Sequence, residues 1–156
     1  MYLIDTVIVS EMRKRRRHPG VVRWLRGRTA DSLFLSVVTI GGIERGIERQ
    51  RIDNPVFAEA MGAWLERTIE LYADRILPVT TAIARRWGRL SARIGHGGAD
   101  LLIAATALEH GLTVITRNVR HFAPTGVTVE DPFASLAAGS LHPKLFTVGP
   151  DSPGAS

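Results

Sequence analysis

Three polar residues fall where α/β proteins do their chemistry. Asp5 closes the apolar run Tyr2 to Ile4, Asn118 follows Val114-Ile115-Thr116, and Asp100 opens the apolar segment Leu101 to His110. If the first two runs are parallel strands and the third a helix between them, all three residues reach one sheet edge. In open parallel sheets, ligands bind outside the carboxyl ends of the strands. Two carboxylates about 4 Å apart repel by roughly 4 kcal/mol at an effective dielectric near 20, so such a pair needs a proton or a divalent cation between its members. Oxygen donors favour magnesium or manganese over zinc. A plainer reading makes Asp100 a helix N-cap and Asp5 a loop residue, and position alone does not choose between the two.

The elements that must position these residues follow from apolar patterning and punctuation. Leu33 to Val38 is bulky and β-branched and reads as a second strand. Thr39 is a suitable N-cap for a helix over Ile40 to Arg51. Pro19 and Pro55 each open a helix, and the second carries an apolar stripe of Phe57, Met61, Trp64, Leu65 and Tyr72. Ile76, Leu77 and Val79 read as a third strand, with Thr80 or Thr81 capping a helix that ends at Gly95. Gly111 stops the helix that begins near Asp100, and Thr113 to Thr116 and Val127 to Val129 complete a set of five strands. Strands alternating with helices imply a mainly parallel sheet covered on both faces.

Composition narrows the function. A length of 156 residues fits one domain, since domains run to roughly 100–200 residues. We expect that domain over 1–135 and a flexible C-terminal tail over 136–156. No apolar run reaches the ~18 residues that span a bilayer. The N-terminus places its apolar run before its basic one, the reverse of a secretory signal, so a cytoplasmic protein is expected. The chain has no cysteine, which removes disulfides, thiolate zinc sites and a cysteine nucleophile. The net charge is +5, and of the 20 basic residues only Lys14 and Lys144 are not arginine. Arginine forks suit phosphate oxygens, and the cluster Arg13 to Arg17 is the densest. A solvated helix face explains the same charge, so charge alone does not establish a phosphate partner.

The segments around these residues carry more information than their positions. LIDT at 3–6, SVVT at 36–39, ADLLIAATALEHGLTVITRN at 99–118 and HF at 121–122 closely resemble the PIN domains of VapC and FitB-like toxins. The likeness runs from Tyr2 to about Phe133. It implies a three-layer α/β/α fold with an acidic pocket that binds Mg2+, or Mn2+, and hydrolyses RNA phosphodiester bonds. Under the resemblance Asp5 and Asp100 are the metal-binding carboxylates, and Asn118 stands where the family carries Asp or Asn. Thr6, Thr39 and Thr116 would surround them, and Arg13, Arg16 and Arg117 are candidates for holding phosphate. A metal-bound water supplies the nucleophile in such sites, so no catalytic histidine is needed; His96, His110 and His121 read as surface or loop residues. The implied partners are an RNA substrate and a VapB-like antitoxin whose arginine enters the acidic pocket, within a homodimer or toxin–antitoxin hetero-oligomer.

Two positions depart from the family pattern. After Thr39 the family usually places Glu one helical turn on, and here that position is Gly42. Glu44 is the nearest acid, but two residues further means about 200° of helix rotation, so it should face away. Natural loss of activity, rescue by Glu44 through distorted helix geometry, and deliberate replacement to silence a toxic nuclease all remain open. Val7 stands where the family commonly has Asn, which removes an amide beside Asp5. Two functional classes follow: a metal-dependent endoribonuclease impaired at Gly42, or a catalytically silent RNA-binding or co-repressor module paired with an antitoxin.

Overall fold

The computed structural model describes residues 1–134. The expected domain boundary at 135 and the tail over 136–156 lie outside the described residues. Five strands, β1 (Tyr2–Ile4), β2 (Leu33–Ser36), β3 (Ile76–Leu77), β4 (Thr113–Ile115) and β5 (Val129–Glu130), form one sheet in the order β3-β2-β1-β4-β5. Every pairing is parallel. The expected α/β class and parallel sheet are therefore observed.

Side chains alternate across the sheet as a period of two requires. Ile4, Leu33, Leu35 and Ile115 face one core, and Leu3 and Val114 face the other. The first core is roofed by α1 (Thr6–Arg13), α2 (Pro19–Arg26), α3 (Val37–Asp53) and α4 (Pro55–Tyr72). The opposite face is covered by α6 (Ala99–His110) and α7 (Val119–Phe122), with α5 (Thr81–Ile94) packed on α6. This is the three-layer arrangement that the sequence implied. The stripe on α4 is largely core: Leu65 and Tyr72 are buried, and Met61 and Trp64 pack against the cluster.

Several boundaries differ from the sequence reading. Helix α1 was not anticipated, because Val7, Ile8 and Val9 are β-branched and disfavour helix locally; tertiary burial of Ile8 and Val9 overrides that preference. Helix α3 begins at Val37, capped by the Ser36 hydroxyl, which accepts from the Val38 amide at 3.1 Å. Thr39, expected as the cap, sits fully buried inside the first turn. Likewise Gly98 occupies the cap of α6 and Asp100 lies in its first turn. Val79 falls outside β3, and β5 starts at Val129 rather than Val127. Thr80 caps α5, and Gly95 and Gly111 close their helices at φ of 95° and 64°, where a side chain would be strained.

Candidate active site

The strand order places the site. From β1 the chain builds outward through β2 and β3, then returns to lay β4 on the other side of β1. The carboxyl ends of β1 and β4 thus flank a topological switch point, the crevice where open α/β sheets bind ligands. Asp5 and Thr116 stand there, directly beyond the two strands. The Asp5 amide donates to the Ile115 carbonyl at 3.0 Å and fixes the two strand ends together.

Asp5 is 3% exposed. Its Oδ2 accepts from the Thr116 hydroxyl at 2.7 Å, and its Oδ1 accepts from the Thr6 amide at 2.8 Å. Burial pushes its carboxyl above the ordinary aspartate range. The Thr116 hydroxyl and Thr6 amide pull it back, while the charge of Asp100 pushes it up again. The two aspartates therefore share one electrostatic neighbourhood, as the sheet-edge argument required. Asp100, at the positive end of the α6 dipole, is anchored by His121, whose Nδ1 lies 2.8 Å from Asp100 Oδ2.

Asn118 arrives at the same edge. Its backbone amide donates to Thr116 Oγ1 at 3.0 Å, and it lines an open cleft of about 280 Å³ with Arg117, Arg120, His121 and Asp131. Its side chain makes no hydrogen bond to either aspartate among the described residues. Arg117 lies over the Phe133 ring, 5.0 Å from the centroid, beside this cleft.

A family model described as PIN domain matches residues 2–126. The chain belongs to the PIN-domain family. Toxin FitB of Neisseria gonorrhoeae is 32% identical over 139 residues, covering 85% of this chain and 99% of that protein. VapC ribonuclease Y4jK of Sinorhizobium fredii is 28% identical over 145 residues, covering 85% and 98%. Among solved structures, the DNA-bound VapBC of Salmonella typhimurium matches with a TM-score of 0.67 at 25% identity, over 84% of this chain and 97% of that one.

On the β2 side of β1, glycine stands at position 42 of α3. A Cβ built on Gly42 meets only Thr6 Oγ1, at 3.8 Å, so position 42 faces the residue next to Asp5. One turn earlier on the same face of α3, the buried Thr39 hydroxyl has no hydrogen-bond partner among the described residues. Glu44 is exposed on an unbroken helix, beside Arg51, so it has no route to the edge. Beside Gly42 a groove of about 350 Å³ opens between α1, α3 and α4. Arg13 lines it, whereas Arg16 is exposed in the loop after α1. Val7 packs half-buried against the first core.

Among the described residues, no three His, Cys, Asp or Glu side chains converge closely enough to hold a metal ion. Asp5 and Asp100 nonetheless offer oxygen donors only. That set fits magnesium, which retains several of its waters and needs only one or two carboxylates from the protein. The sequence reading missed His121. It lies three residues beyond Asn118 along α7, but a single histidine after a basic stretch gave no separate signal. No described helix is long and apolar enough to cross a membrane.

Proposed function

We propose that this PIN domain is the toxin of a toxin–antitoxin pair, an endoribonuclease dependent on Mg2+ or Mn2+ whose turnover is lowered by Gly42. The observation that carries the reading is a buried aspartate at the switch point, electrostatically coupled to a second aspartate on the neighbouring helix. Asp5 and Asp100 would hold the cation, which when bound lowers the pKa of a coordinated water and offsets phosphate charge. Thr116 and Thr6 keep both Asp5 oxygens oriented, and His121 restrains Asp100. Thr39 offers a buried oxygen in want of a partner. Arg117, at the mouth of the Asn118 cleft, presents donors suited to a phosphodiester. A VapB-like antitoxin is the natural partner, in line with relatives named as toxins and a neighbour solved as VapBC.

The test is RNA cleavage in magnesium by the parent and by Gly42→Glu. Restoring one transition-state electrostatic contact is expected to raise the rate by roughly a hundredfold. No gain would count against the enzyme reading. The second reading, a catalytically silent RNA-binding or co-repressor module, draws on Gly42 itself and on a structural neighbour bound to DNA. Unchanged RNA affinity without turnover in Gly42→Glu would favour it.

A further inference from the structure

The groove beside Gly42 holds a charged group that the carboxylate edge does not use. Arg13, the last residue of α1, lines it together with Thr6, Ser10, Gln50 and Phe57. Its guanidinium lies over the Phe57 ring, 5.4 Å from the centroid. Its Nε is buried without a hydrogen-bond partner among the described residues. A buried donor left unpaired is an uncompensated desolvation, which an anionic ligand would relieve. Among the described residues no carboxylate lines the groove, so its charge complements an anion.

Resting on the ribonuclease reading above, we infer that this groove is the subsite for the ribonucleotide next to the scissile phosphate. Arg13 holds that nucleotide's phosphate, and the apolar wall of Ile43, Phe57 and Met61 receives its base. Position supports the assignment. The groove starts at Thr6, which follows Asp5 in the chain, and at Gly42, which faces Thr6, and follows α3 to Gln50, roughly 12 Å along the helix axis. Its volume of about 350 Å³ falls within the ~300–1,000 Å³ of small-ligand sites. Aromatic walls accept any base face, and arginine reads the backbone. Polar lining by Ser10 and Gln50 beside Arg13 suits a polyanion better than an apolar peptide.

The full chain should be titrated into a fluorescein-labelled single-stranded hexaribonucleotide, with anisotropy followed from about 50 to about 200 mM salt. Arg13→Gln is expected to weaken binding about tenfold and to reduce the salt slope by about 0.7, the value of one phosphate contact on a single strand. Gln50→Glu changes an exposed residue that the fold does not need, and should weaken binding about threefold by repulsion. Arg67→Gln, at an exposed α4 position outside the groove, should change neither affinity nor slope beyond what one distant charge contributes. If both groove variants bind RNA as the parent does, the subsite is overturned while the ribonuclease reading stands. If the parent binds no RNA, that reading fails and takes the subsite with it. Variants that keep RNA but lose a co-purifying protein partner would assign the groove to protein docking and overturn the inference.

Discussion

The two flanks of β1 are built differently. Toward β4, both aspartates have partners: Asp5 with Thr116, which also accepts from the Asn118 backbone amide, and Asp100 with His121. Toward β2, a buried hydroxyl on Thr39 is unpaired and position 42 has no side chain. Both flanks nevertheless share one parallel ladder, and each rests on a buried core, α3 on one face of the sheet and α6 and α7 on the other. Removing a carboxylate from a helix that is otherwise anchored by Ile43 and Ile47 leaves the scaffold undisturbed. Position 42 and the buried anchors of α3 are thus separate residues, so a change at one need not disturb the other.

The contrast can be broken most severely from beneath the completed flank. Phe122 is fully buried under α7, and Phe122→Ala should cost about 3–5 kcal/mol, read from urea denaturation. It should also free the segment that carries Asn118 and His121. A loss below about 1 kcal/mol would mean that α7 does not depend on this anchor.

A smaller effect is expected at Asp5. Its folded-state pKa is raised, chiefly by burial, so the native state binds its proton more tightly than the unfolded chain does. The stability this group contributes is complete below the unfolded value, about 3.9, and is lost as pH rises through the folded value. Asp5→Asn should therefore melt above the parent at pH 8, with the gap closing as pH falls toward 4. The effect should lie within the ~0.5–3 kcal/mol usual for single substitutions. A gap that widens on acidification would reverse the assigned electrostatics.

The smallest change tests the bare flank. A Cβ at position 42 meets one atom at ordinary contact distance, and alanine is the better helix former by about 0.5–1 kcal/mol. Gly42→Ala should raise the melting temperature slightly without restoring cleavage. A destabilised Gly42→Ala would show that the glycine serves packing.

Much of this was legible because apolar runs, caps and glycines carry local signals. Tyr2 to Ile4, Pro19, Pro55, Thr80, Gly95 and Gly111 all mark elements or ends observed in the structure. The misses share a cause. Val37-Val38-Thr39 and Thr6 to Val9 are β-branched and extended by local preference, yet tertiary packing makes them helical. The Asp5–Asp100 neighbourhood followed from strand order, but the His121–Asp100 contact depends on side-chain placement that no spacing rule encodes. The unpaired Arg13 Nε and the groove around it arise from three helices meeting, which a linear reading does not expose.

The hydrogen bond that closes the site joins residues 111 positions apart. Pairings of such separation form late, after the intervening chain has organised. At the ~5–20 residues per second of synthesis, Thr116 follows Asp5 from the ribosome by on the order of ten seconds. During that interval β2 is already available to β1, but Asp5 has no β4 against which to be held. A nascent or truncated chain is thus born without an assembled site, and competence arrives only with the last crossover.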